Sequence, residues 1–179
     1  MKRAIVCAVV LTMSVGWWLT GAAVGQAMKA GDKDQQFVRH AARDGLAEVQ
    51  LGQMAAEHAT NPEVQRFGQR MVTDHTKANQ ELMTLAQSKN ISIPKETDKK
   101  HKKTAAALAK KQGASFDREY MHDMVTDHEK AVQFFTTEAN ERRDADIKAF
   151  AGKTLPTLQE HLQMARQLTQ QQGSMSQAR

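Results

Sequence analysis

Apolar residues recur at spacings of three and four along most of this chain, the pattern of helices that each bury one stripe. The first stretch runs from Asp32 to Ala59, with Phe37, Val38, Ala41, Gly45, Glu48, Val49, Gly52, Ala55 and Ala56 on the stripe. Asn61-Pro62-Glu63 then reads as a helix start: a capping side chain, a proline in the first turn and an acid beside the helix dipole. The second stripe follows through Val64, Phe67, Gly68, Met71, Val72, His75, Ala78, Leu82 and Leu85 to about Ser88. The gap between the two helices is very short, which makes them antiparallel neighbours. Pro94 bars a helix through 90–94. Thr97 or Asp98 caps a short basic helix that stops at Gly113.

A third long helix is predicted from near Ser115 to about Glu141, with Phe116, Tyr120, Met121, Met124, Val125, His128, Val132, Phe135 and Ala139 on its stripe. After a polar turn, a fourth carries Ile147, Phe150, Ala151, Thr154, Leu158, His161, Leu162, Ala165 and Leu168. Pro156 lies inside that pattern and predicts a kink one turn before His161. The chain from 170 to 179 is Gln- and Ser-rich and reads as a disordered tail. Nothing reads as a strand. The predicted fold is all-α, an antiparallel four-helix bundle over residues 33–169, with a short extra helix in the crossover between its second and third long helices.

The N-terminus departs from this pattern. Met1-Lys2-Arg3 is basic, Ala4 to Val24 carries no charge, and small residues follow before polar sequence begins. That order predicts a signal peptide over 1–27, cleaved near Ala27, with 28–32 as a linker, and hence a periplasmic or outer-membrane-associated protein. The stretch is also just long enough to be retained as an anchor. The one cysteine, Cys7, lies inside it. The rest of the chain therefore has neither disulfides nor thiolate ligands. The net charge is +5. Its excess gathers at Lys99, Lys100, Lys102 and Lys103 without interleaved aromatics, which argues against nucleic acid and reads as a solvated helix face, with contact with an envelope surface as the alternative.

The chemistry lies in a repeat. Met71-Val72-Thr73-Asp74-His75-Thr76-Lys77-Ala78 recurs as Met124-Val125-Thr126-Asp127-His128-Glu129-Lys130-Ala131, with a change only at Thr76 against Glu129. His75 and His128 stand at the midpoints of their helices, Glu48 at that of the first, and His161 one turn past that of the fourth. Mid-helix residues of an up-down bundle share one layer, so these four are expected to converge in the core. A buried carboxylate and buried imidazoles are costly unless partnered. A single zinc, copper, iron or manganese ion bound by Glu48, His75, His128 and His161 answers that cost. A metal-free hydrogen-bonded layer that fixes helix register is the alternative. Asp44 is expected behind Glu48, and Asp74 and Asp127 as surface or inter-helix partners. Met71, Met124 and Met164 stand one turn from the histidines, either as core filler or as a pairing that suits Cu(I). Gly45, Gly52 and Gly68 predict close backbone approach near the layer.

Five segments carry a resemblance: Leu46 to Gly52, Asn61 to Val64, Phe67 to His75, Phe116 to Tyr120, and Leu155 to Leu162. In these, over about residues 33 to 168, the chain resembles the bacterial exported family called domain of unknown function 4142. The resemblance implies a ferritin-like bundle in the periplasm or envelope and brings no established activity. Di-iron ferritin-like proteins use Glu-x-x-His pairs. Here Val72, Val125 and Leu158 stand three residues before the histidines, so a di-iron centre is not built. The functional expectation is a metal-binding bundle for buffering or stress protection, or else a non-catalytic envelope module. An enzyme is disfavoured, because four protein ligands leave no open coordination position.

Overall fold

The computed structural model describes residues 31–141 and 144–177. The expected signal peptide lies outside them. Among the described residues there are five helices and no strand: α1 (Asp32–His58), α2 (Pro62–Ser88), α3 (Lys99–Leu108), α4 (Gly113–Glu141) and α5 (Ala145–Gln177). The four long helices form the expected bundle, with α1 packed most closely on α2 and α4 on α5. No described helix is long and apolar enough to cross a membrane.

Local chemistry sets the helix ends. The Asn61 side chain accepts from the Glu63 N–H (2.9 Å), and Pro62 occupies the first turn, where its missing N–H costs nothing. Asp98 accepts from the His101 N–H (3.1 Å) to start α3. Asp144 accepts from the N–H groups of Asp146 and Ile147 (3.0 and 3.1 Å) to start α5. At the end of α2 Asn90 takes a left-handed φ of 55°. The Ile91 N–H then reaches back to the Ala86 carbonyl (2.8 Å) and the Asn90 N–H to that of Gln87 (3.1 Å), a Schellman closure. Buried Asp117 on α4 accepts from the Thr60 N–H, the Thr60 hydroxyl and the Asn61 N–H (3.0, 2.7 and 2.9 Å). One carboxylate thus ties the α1–α2 turn to the opposite hairpin.

One sequence expectation about the helices needs adjustment. The helix α5 does not stop at 169 but continues to Gln177, and Gln172 is buried. Glutamine is a good helix former, so polarity alone did not mark a helix end. The same helix passes through Pro156 without interruption. The carbonyl that Pro156 cannot serve belongs to Gly152, which is exposed, so water can satisfy it.

The core is in two parts. One apolar cluster, around Phe37, Leu82, Phe135 and Phe150, fills the end of the bundle where α1 begins and α2 ends. The other, around Leu51, Phe67, Phe116, Tyr120 and Met124, fills the opposite end. Glu48, His75, His128 and His161 belong to neither and are all buried. Their sequence positions fall between the two clusters on every long helix.

Gly52 and Gly68 form the seam between α1 and α2. A Cβ on Gly68 would lie 2.7 Å from the Gly52 carbonyl oxygen and 2.8 Å from Ala55 Cβ. Both neighbours are rigid. Gly68→Ala should therefore destabilise the protein by about 1–3 kcal/mol through overpacking, despite a helix-propensity gain of about 0.5–1 kcal/mol. Urea unfolding checks this. A midpoint equal to or above that of the unmodified protein would mean that the helices separate at little cost.

Candidate metal centre

His75 from α2, His128 from α4 and His161 from α5 meet at one point in the core. Each offers one ligand atom within 4.8 Å of those of the other two. Their ring centroids are 5.8 Å (His75–His128), 5.4 Å (His75–His161) and 5.4 Å (His128–His161) apart. His128 and His161 are fully buried and His75 nearly so.

The tautomers follow from the outer contacts. His128 Nδ1 lies 3.0 Å from the Met124 carbonyl oxygen, which can only accept, so Nδ1 carries the proton and Nε2 the lone pair. His161 Nε2 lies 2.9 Å from Asp74 Oδ2 and donates to it, which leaves the lone pair on Nδ1. His128 Nε2, His161 Nδ1 and His75 Nε2 are all buried without a hydrogen-bond partner. Buried polar atoms are rarely left so.

Electrostatics keeps the rings neutral. Burial holds His75 well below its ordinary pKa, and the neighbouring His128 and His161 add to the effect. His128 is held down to about 3 by burial and by His161, against the Met124 carbonyl. His161 is lowered by burial, with Asp74 opposing. Burial pushes Asp74 up, but the hydrogen bonds from His161 and Arg70 outweigh it and hold the carboxylate below its usual range. Arg70 Nε is 3.2 Å from the same Oδ2. Arg70, Asp74 and His161 thus form a relay from the surface to the ring. A carboxylate gripping the outer nitrogen of an imidazole fixes its tautomer and orientation, as is usual behind a metal-bound histidine.

Glu48 is placed differently from the expectation. It is buried at the same level, but its Oε1 lies 4.0 Å from His128 Nδ1, the nitrogen already committed to Met124. Its Oε2 has no hydrogen-bond partner. Burial, reinforced by Asp127, Asp44 and Asp123, raises its pKa well above the normal value. The four-residue layer is thus three convergent imidazoles with a carboxyl group beside them. Asp44 does not stand behind Glu48 as expected. It faces His40 Nε2 (3.1 Å) and His101 Nε2 (3.7 Å) instead, because α3 brings His101 over the end of that turn of α1. Asp127 pairs at the surface with Lys130 (3.5 Å).

The site is reached from outside. A cleft of about 450 Å³ is lined by the largely buried Glu48, His75, His128 and His101 and by the more exposed His40 and Asp44. Met71 and Met124 are fully buried in the apolar cluster on one side of the layer. The Met164 sulfur instead accepts from the Arg70 guanidinium (3.5 Å).

The sequence matches the family model described as Domain of unknown function (DUF4142) over residues 19–168. No protein of curated function matches it. The fold is similar to a DUF305 fragment from Deinococcus radiodurans, with a TM-score of 0.71 at 12% identity over 80% of this chain and 99% of that one. It is also similar to CopM in its Cu(II)-bound form, with a TM-score of 0.66 at 20% identity over 77% of this chain and 96% of that one. The Cu(I)-bound form of CopM aligns with a TM-score of 0.65 at 19% identity, over the same shares of the two chains. These likenesses show a shared helical-bundle fold.

Proposed function

The chain belongs to the DUF4142 family, and from its core we propose that it binds one transition-metal ion, copper foremost and zinc as the alternative, through His75, His128 and His161. The observation that carries this is the set of three neutral imidazoles, each with a buried nitrogen that has no hydrogen-bond partner. A metal-free polar layer would use those nitrogens in hydrogen bonds. Imidazole suits copper and zinc, whereas manganese favours oxygen ligands. The fold shared with CopM, a protein described in Cu(II)- and Cu(I)-bound forms, supports copper. Glu48 is the proposed fourth donor and enters with loss of its proton. The charge-free N-terminal stretch supports an exported protein that buffers metal in the envelope, and nothing in the site requires a chemical transformation.

The test is a metal count. Purified protein is equilibrated with Cu(II) and Zn(II), separated from free metal, and measured by mass spectrometry. One ion per chain is expected, and less than a tenth of that in His75→Ala and His128→Ala. Unmodified protein without stoichiometric metal would leave the layer with a purely structural role. Undiminished metal in both variants would place the ion elsewhere.

A further inference from the structure

The surplus positive charge of this chain has one place in the fold. Between residues 95 and 111 stand seven lysines against two acids, Glu96 and Asp98, a surplus equal to the +5 net charge of the whole chain. All seven lysines are exposed. Lys102 reaches Glu96 (2.8 Å), and Lys111 lies 3.7 Å from Glu119. Among the described residues, Lys95, Lys99, Lys100, Lys103 and Lys110 have no carboxylate within ion-pair distance. Elsewhere Lys89, Lys130 and Lys153 each pair with one.

The helix that carries this charge gains nothing from it. Four of the first five residues of α3 are lysines, and its first turn holds no acid. Cations there oppose the positive end of the helix dipole, and the Asp98 cap is the one offset. Packing does not account for the lysines either, since α3 buries only Ala105 and Leu108. On its outward side Ala106, Ala107 and Ala109 are exposed, so no bulky side chain stands among the charges. The helix is about 15 Å long. It presents a low basic face on the outside of the molecule, which fits a broad surface better than a single polymer strand. No Phe, Tyr or Trp lies between 95 and 111 to stack on bases.

We propose that α3, with Lys95, Lys110 and Lys111 flanking it, docks the protein on a bilayer of anionic phospholipid. Long alkyl stems carry the ammonium groups out to the headgroup phosphates. Lys100 and His101 also line the cleft, so docking brings that cleft to the membrane surface. The docking face shares no residue with the inner histidines and stands whether or not they bind metal.

The test is sedimentation of the full chain with vesicles at about 0.1 M salt. Vesicles of phosphatidylcholine with about one-third phosphatidylglycerol should be bound at least about 100-fold more tightly than phosphatidylcholine alone, and added salt should weaken that binding. Each lysine near an anionic surface strengthens binding about fivefold. Lys99→Gln/Lys100→Gln/Lys102→Gln/Lys103→Gln should therefore lose at least about 100-fold. Glutamine favours helix, and circular dichroism checks the fold. If that variant does not fold, Lys95→Gln/Lys110→Gln, outside the helix, should lose at least about 10-fold. A matching variant, Lys33→Gln/Lys77→Gln/Lys148→Gln/Lys153→Gln, removes the same charge from exposed positions elsewhere. It should bind within about threefold of the unmodified protein, because distant charges are screened. An equal loss in both four-lysine variants would make net charge alone responsible and overturn the docking face. Equal binding to both kinds of vesicle would overturn it as well, and would leave the stretch from Ala4 to Val24 as the membrane contact. Binding of soluble polyphosphate without binding of the anionic vesicles would assign the face to a polymer and overturn the lipid reading.

Discussion

Acidification from pH 7 to pH 4.5 should strip the metal-free protein of much of its stability. His75, His128 and His161 all have folded pKa values below the ordinary histidine value of 6.5. Above 6.5 both the folded and the unfolded chain keep them neutral, and they add no pH dependence. Below it the unfolded chain takes up protons that the folded core refuses, so stability falls as pH falls. The decline runs from about pH 6.5 down to the folded values, which for His128 is about 3. Each ring that stays neutral costs about 1.4 kcal/mol per pH unit. Two such rings over two units would consume a large part of the ~5–15 kcal/mol that holds a domain together. Glu48 acts in the opposite sense. Its raised pKa means that the unfolded chain loses a proton first, so this contribution is full below about pH 4.5 and is lost as pH rises towards the folded value. Urea unfolding across the range should show the histidine slope, and His128→Leu should flatten it. Stability that is level between pH 7 and pH 5 would mean that the rings are not held neutral in the fold.

Saturating Cu(II) or Zn(II) should raise the melting temperature by roughly 8–16 °C. An ion present at a thousand times its dissociation constant adds about 4.1 kcal/mol if it binds only the folded state. A chain of this size gains about 2–4 °C per kcal/mol. A chelator should return the protein to its metal-free value. Asp74→Asn should bind about 10–100-fold more weakly, because loss of the carboxylate behind a ligating histidine typically has that effect. The His161 ring stays in place in that variant but loses its anionic partner. A melting temperature indifferent to both metal and chelator would rule out the inner site. Equal affinity in Asp74→Asn would show that the Asp74–His161 contact is packing alone.

The helical layout was legible because every long helix keeps its apolar stripe in register, and because Asn61-Pro62 and Asp98 are explicit start signals. Counting to helix midpoints was enough to bring His75, His128 and His161 to one level, since mid-helix positions coincide in an up-down bundle. The side chains' directions were less legible. Whether Glu48 faces the three rings or sits beside His128 depends on a rotation of α1 by a fraction of a turn, which a stripe wider than 100° does not specify. The use made of Asp44 depends on where the α3 crossover lays His101, a contact between residues far apart in sequence. The grip of Asp74 on His161 lies across two helices and was foreseen only as a surface or inter-helix partnership. The end of α5 was misread because glutamine is polar and yet favours helix.

The division of the bundle into an α1–α2 hairpin and an α4–α5 hairpin has a kinetic corollary. His75 belongs to the first hairpin, while His128 and His161 belong to the second. Each hairpin is local in sequence and can form early, at the speed typical of helical proteins. The three-ring cluster exists only after the hairpins have docked. Whatever binds all three rings therefore joins the halves late in folding, and acts mainly by slowing their separation rather than by hastening their assembly.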